Sequence, residues 1–197
     1  MQRRYFLLTL LFLASLLTGC AANASMKSPE DYRMPTDVPS AAELTATVEA
    51  EIQQRTPPAD CPVTTAEDVS FRAPGPYSPV APWEGLFWYG TEGLWTTLST
   101  DGVWSRLSET SDGYINKIVW WSKLYSLKDE PEPALIVSGQ RLDAKSEPLR
   151  FYGATNIIKE EAGEAMLTGV EFPTPGCWEV QAEYKNSDLS FVVWIAP

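Results

Sequence analysis

The final stretch of the chain, residues 172–195, most constrains the fold because it contains two runs of alternating apolar and polar residues. The apolar positions of the first run are Trp178, Val180, Ala182 and Tyr184, and those of the second are Leu189, Phe191, Val193 and Ile195. A period of two residues is that of a half-buried β-strand. Residues 185–188, Lys-Asn-Ser-Asp, have the composition of a turn. The pattern therefore predicts a β-hairpin with one apolar face.

Upstream of this hairpin, short apolar runs recur between Gly, Pro and Asp residues. The runs predict strands over residues 86–89, 94–98, 103–107, 115–127, 134–142, 149–152 and 166–172. Asp101-Gly102 and Asp112-Gly113 are turn signals between such runs. With the hairpin this makes about eight or nine strands, at a spacing typical of a sandwich. We therefore expect an all-β antiparallel β-sandwich over residues 61–197.

Residues 1–19 are predicted to be a lipoprotein signal peptide. Arg3 and Arg4 precede an apolar run over residues 5–17, which is too short for a comfortable membrane span. The run ends in Leu-Thr-Gly-Cys at residues 17–20, which resembles a bacterial lipobox with Cys20 as the lipidated residue. The alternative is a plain secretory signal in which Cys20 is incidental. The lipobox predicts a protein of the cell envelope, anchored in a membrane through lipid and facing outside the cytoplasm.

Residues 20–60 are predicted to be a lipidated cysteine followed by a flexible tether rich in Pro, Ala and Ser. One segment of it, residues 41–54, has features of a short helix. Ser40 and Glu43 have the spacing of a capping box, and Leu44, Val48 and Ile52 follow at helical intervals. Every second residue of this segment is also apolar, which suits a strand. We favour the helix because the segment is rich in Ala and Glu.

Cys61 and Cys177 are the two cysteines that remain beyond Cys20. An oxidising compartment and a single connectivity predict a disulfide between them. Two free thiols, or a two-cysteine metal site without histidine, are the alternatives. Cys177 alternates with the apolar face of its strand, so its sulfur should lie on the outer side of the sheet or at its edge. The bridge would then join the start of the domain to the final hairpin.

Composition excludes several classes of function. The chain has no histidine, which rules out Ser-His-Asp and Cys-His sites and most transition-metal sites. Its 15 basic and 26 acidic residues give a net charge of −11, so nucleic acid is not an expected partner. We expect no cofactor and no metal. A hydrolase built on paired carboxylates is the remaining catalytic alternative.

Eight tryptophans, all between residues 83 and 194, are the one compositional excess. Trp120 and Trp121 are adjacent on one strand, so their side chains must face opposite sides of the sheet. The apolar neighbours of Trp120 favour this ring as the inward one. Trp121, Trp194 and Trp88 are the candidate ligand surface. Packing beneath loops or the tether, a protein-partner surface and a glycan surface are the open interpretations.

Four motifs give the chain a resemblance to a known group of proteins. They are Gly-Leu-Trp-Thr-Thr-Leu at residues 93–98, Trp120-Trp121, Gly-Gln-Arg-Leu-Asp at residues 139–143, and the closing Phe-Pro-Thr-Pro-Gly-Cys-Trp-Glu-Val at residues 172–180. Over residues 61–197 the chain resembles uncharacterised bacterial lipoproteins with an immunoglobulin-like sandwich. The resemblance implies fold and location and no catalytic residue. The expected function is a non-catalytic binding, interaction or envelope-structural role, with a carbohydrate- or cell-wall-binding module as the alternative.

Overall fold

A computed structural model of the chain describes residues 40–77, 81, 83–159 and 163–197. The predicted signal peptide, the lipobox and Cys20 lie outside the described residues. Helix α1 spans Ala41–Arg55, so the predicted helix is confirmed and the alternative of a strand is wrong. Leu44, Val48 and Ile52 form an exposed apolar stripe along it, with 53%, 53% and 59% of each residue exposed. No helix in the described parts of the chain has the length and apolar character needed to cross a membrane.

Ten strands make up the rest of the described fold. They are β1 Leu86–Gly90, β2 Trp95–Ser99, β3 Val103–Trp104, β4 Ser108–Glu109, β5 Tyr114–Trp121, β6 Ile136–Arg141, β7 Arg150–Lys159, β8 Gly163–Phe172, β9 Gly176–Tyr184 and β10 Ser187–Ile195. The first sheet has the order β1-β2-β5-β8-β7, with β4 beside β5, and the second sheet has the order β3-β10-β9-β6. The predicted all-β sandwich is confirmed, and the immunoglobulin-like assignment stays a prediction. Strands β3 and β10 run parallel, whereas the sequence predicts an antiparallel fold throughout.

The main core lies between the two sheets and uses the predicted face of the C-terminal hairpin. All eight apolar residues of the alternating runs in β9 and β10 belong to it. The first sheet contributes Leu98, Trp120, Met166 and Phe172, among others. A turn at residues 185–186 places Tyr184 opposite Ser187 and so sets the register of the hairpin. Because side chains alternate along a strand, this register sends every apolar residue of the hairpin to the same face.

A second apolar cluster covers the outer face of the first sheet. Its buried members on the sheet are Trp88, Trp95, Trp121 and Ala165. The described residues of the segment before β1 lie over them and contribute Phe71, Ala73, Tyr77, Ala81 and Trp83. Burial of large aromatic side chains is a major source of stability. The first sheet is therefore buried on both faces along this part of its surface.

The predicted bridge between Cys61 and Cys177 is present, with Cα atoms 5.7 Å apart. It lies outside the main core, on the outer side of the second sheet. The backbone N–H of Thr64 donates a hydrogen bond to the Val192 carbonyl at 2.9 Å, so the chain after Cys61 runs beside β10. Cys177 faces Trp194 in the register of the two strands. The bridge thus fastens the segment that follows α1 to the final hairpin.

A cleft between two strands as the candidate site

The first sheet is split between β2 and β5. These strands pair through only two residue pairs, Trp95 with Trp121 and Thr96 with Trp120. Beyond them, β2 continues to Ser99 in pairing with β1, while β5 continues back to Tyr114 in pairing with β8. Strand β4 closes the far end by pairing with Tyr114 and Ile115 of β5. A gap remains between residues 97–99 of β2 and residues 116–119 of β5.

Side chains satisfy backbone groups of β5 at this gap. Thr96 Oγ donates a hydrogen bond to the Val119 carbonyl at 2.8 Å. The backbone N–H of Lys117 donates to Asn116 Oδ1, also at 2.8 Å. Backbone groups point to the same neighbouring strand at every second residue, so both groups face β2. Because side chains rather than backbone groups make these two hydrogen bonds, the gap stays open at little energetic cost.

The gap opens into a cleft of about 370 Å³, within the usual volume of ligand pockets. Its outer part is lined by Trp83, Leu86, Thr97, Ser99, Lys117 and Val119. Its inner part is lined by Val103, Trp104, Ser105, Leu107, Asn116 and Ile118. Ile118 belongs to the main core, and Trp104 packs against that core at the bottom of the cleft. The cleft therefore runs from the outer face of the sheet toward the interior.

Several polar groups in the cleft are available to a ligand. Within the described chain, no hydrogen-bond partner is found for Thr97 Oγ, Ser105 Oγ, Asn116 Nδ2 or Lys117 Nζ. The indoles of Trp83 and Trp104 are both partly exposed. Trp104 is held by edge contacts with Phe172 and Phe191, whose centroids lie 5.9 Å from its own. Fixed aromatic rings beside unpaired hydroxyl, amide and ammonium groups suit a ligand that has both polar edges and flat apolar faces.

The structure does not place the three predicted surface tryptophans together. Trp121 is fully buried and Trp88 is 4% exposed, so the prediction that they form an exposed surface is wrong. Both rings pack against the segment before β1 through Tyr77 and Trp83, so packing beneath a loop is the interpretation that the structure bears out for them. Trp194 is partly exposed, and its indole N–H donates to the Gln54 carbonyl of α1 at 3.2 Å. Trp120 is fully buried in the main core, as predicted.

Sequence reasoning missed the residues that line the cleft. Trp83 and Trp104 are two of the eight tryptophans, but neither belongs to a long alternating run that assigns it to a face. Lys117 lies on the outward side of β5, where a single charged residue gives no sign of a ligand. The gap arises because β2 pairs with β5 over only two residue pairs. A local pattern of apolar residues predicts which face of a strand is buried, but not the length of its pairing with another strand.

Glu171 is a carboxylate that the fold buries on the same outer face of the first sheet. Its side chain is 2% exposed. It accepts hydrogen bonds from the hydroxyls of Thr110 and Tyr152, and Arg150 Nη1 lies 3.3 Å from it. The hydrogen bond from Thr110, followed by that from Tyr152, lowers the pKa of Glu171. An ionised carboxylate that is surrounded by donors is a poor general acid, so this group ties strands together.

Comparisons with known proteins add no assignment to the cleft. The chain matches no protein-family model, no curated protein and no solved structure. Within the described residues, no group of three or more Cys, Asp or Glu side chains is arranged to hold a metal ion. The chemistry of the cleft residues themselves therefore carries the functional argument.

Proposed function

We propose that this chain is a membrane-anchored extracytoplasmic lipoprotein whose sandwich binds a saccharide, without catalysis, in the cleft between β2 and β5. The observation that carries the proposal is the cleft itself, which combines two partly exposed indoles with unpaired polar groups. Sugar rings present apolar faces that stack on indoles and hydroxyl groups that need hydrogen-bond partners. The lipobox at residues 17–20 supports the anchor and the location.

A site for protein partners would be expected to look different. Protein interfaces of moderate affinity bury roughly 800 Å² on each partner and have an apolar centre. The cleft has a volume of about 370 Å³ and contains polar groups from Thr97, Ser105, Asn116 and Lys117 along both of its walls. Its size and composition favour a small polar ligand or the end of a chain of sugars.

The anchor has a direct test in Cys20. Replacement of Cys20 by serine should release the protein from the membrane fraction or leave it as an unprocessed precursor, because serine cannot be thioether-linked to lipid. The measurement is fractionation followed by gel mobility. A Cys20→Ser protein that stays in the membrane with unchanged mobility would show that the lipobox interpretation is wrong.

The cleft is tested by filling it. The full-length protein, labelled and held in detergent, is applied to an array of neutral and acidic glycans. Wild type should bind at least one glycan, and Thr97→Tyr should weaken that binding by at least about tenfold, since the larger side chain occupies the mouth of the cleft. Thr155→Tyr is the matched control, because Thr155 is an exposed threonine of β7 in the same sheet.

Two results would contradict the saccharide proposal. One is the absence of binding to every glycan on the array by wild-type protein. The other is binding that Thr97→Tyr and Thr155→Tyr retain equally, which would place the glycan elsewhere on the molecule.

A further inference from the structure

The cleft carries a single cation at its mouth, and this suggests which saccharides it takes. Resting on the proposed function, we infer that Lys117 makes the cleft selective for saccharides that carry a carboxylate, such as uronic acids. Lys117 would bind the carboxylate while Trp83 or Trp104 contacts the apolar face of a sugar ring. Lys117 is then a specificity-determining residue of the site.

The surroundings of Lys117 leave its charge unpaired. Lys117 pairs with Gly169 on β8. Because glycine has no side chain, no acidic group faces Lys117 from this position. On its other side Lys117 faces the gap, because the pairing of β2 with β5 does not extend to this residue. No ion pair or side-chain hydrogen bond joins Lys117 to any other described residue. Among the described residues that line the cleft, none is acidic.

Asp101 lies in the turn between β2 and β3, Glu171 lies two residues from Gly169 on β8, and both carboxylates are already bound to other groups. Asp101 accepts hydrogen bonds from Ser99 Oγ and from the backbone N–H of Val103, the latter at 3.0 Å. Glu171 is paired with Arg150 and bonded to two hydroxyls. In a chain of net charge −11, an ammonium without an acid is a local site of positive potential. Such a site attracts an anionic ligand and disfavours a cationic one.

The number of cations in the cleft argues for a carboxylate over a phosphate. One lysine can neutralise one negative charge, and a carboxylate carries one. Phosphate groups carry up to two charges, and proteins usually surround them with several cations or with the forked guanidinium of arginine. The cleft lining contains one lysine and no arginine. A carboxylated sugar therefore matches the site in charge as well as in shape.

The test compares each acidic sugar with its own neutral form. Titration calorimetry on the full-length protein in detergent uses oligomers of galacturonate, of mannuronate and of hyaluronan, each alongside its methyl ester. The ester keeps the sugar rings and removes the charge. Wild type should bind at least one acid about ten- to a hundredfold more tightly than its ester, the usual effect of a charge-assisted hydrogen bond.

Variants assign this preference to one side chain. Lys117→Gln should remove the difference between acid and ester, because the glutamine amide carries no charge to pair with the carboxylate. Lys117→Arg should retain a preference for the acid because the charge remains. Lys128→Gln is the matched control, since Lys128 is an exposed lysine outside the cleft, and it should behave as wild type.

The outcomes separate this inference from the proposed function. Equal binding of acid and ester would overturn the role of Lys117 and leave a neutral-saccharide site standing. A preference for the acid that survives in Lys117→Gln would also overturn it. If no acidic oligomer binds while neutral glycans bind on the array, the ligand class is wrong but the cleft still binds sugar. If no glycan of either kind binds, both proposals fail.

Discussion

Truncation of Trp121 to alanine should destabilise the sandwich by about 3–5 kcal/mol, as much as truncation of Trp120 does. Trp121 is fully buried, and its ring contacts those of Trp88 at 5.0 Å and Trp83 at 6.2 Å between centroids. Trp120 is equally buried in the main core and donates its indole N–H to Thr168 at 2.9 Å. A large cavity would be left on one face of β5 by either change.

Equilibrium denaturation in guanidinium chloride measures the loss of stability in both variants. Ile158→Ala is the control, because Ile158 is 64% exposed on β7 and its truncation should cost much less. A loss of less than about 1 kcal/mol for Trp121→Ala, beside a large loss for Trp120→Ala, would contradict the double-sided burial of β5. That result would restore Trp121 as a surface ring.

Removal of the disulfide should lower the free energy of unfolding by a similar amount. The bridge joins residues 116 positions apart, and the chain-entropy model assigns a closed loop of about 100 residues roughly 4.7 kcal/mol at 25 °C. Residual structure in the unfolded chain reduces this figure. Both cysteines are buried, so two unpaired thiols would also leave the segment after α1 less tightly held against β10.

Denaturation of the Cys61→Ser/Cys177→Ser variant provides the measurement, and wild-type protein with a reducing agent provides an independent one. Wild-type protein without the reducing agent serves as the control. Peptide mapping without reduction should find residues 61 and 177 in one cross-linked pair. Two thiols that can be alkylated in the native protein, or an unchanged denaturation midpoint, would contradict the role of the bridge.

The parts of the fold that could be predicted from sequence are those governed by local patterns. Alternation in β9 and β10 assigns their inward residues because one face of each strand is buried in the core. Strand β7 is longer than predicted, since the sequence pattern ended near Tyr152. The pairing of β7 with β8 shifts register between Phe151 and Ala154 and then continues to Lys159. A bulge of this kind interrupts the period of two without ending the strand.

The errors in the site have a different cause. An outward position on a strand is exposed only if nothing covers it, and described residues of the segment before β1 cover Trp88 and Trp121. That segment contains prolines and shows no periodic pattern of apolar residues. Its sequence therefore could not predict which surface it packs against. The cleft depends on β2 and β5 separating after Thr96, which is a long-range property of the first sheet. Local patterns contain no information about it.

The indole N–H signals of the ¹⁵N-labelled protein test the central claim most directly. Each of the eight tryptophans has one such group. On titration with the tightest-binding of the three acidic oligomers, the signals of Trp83 and Trp104 should shift, because these rings line the cleft. The signal of Trp178, which is fully buried and does not line the cleft, should stay in place. A shift of Trp194 without Trp83 and Trp104 would contradict a saccharide site between β2 and β5.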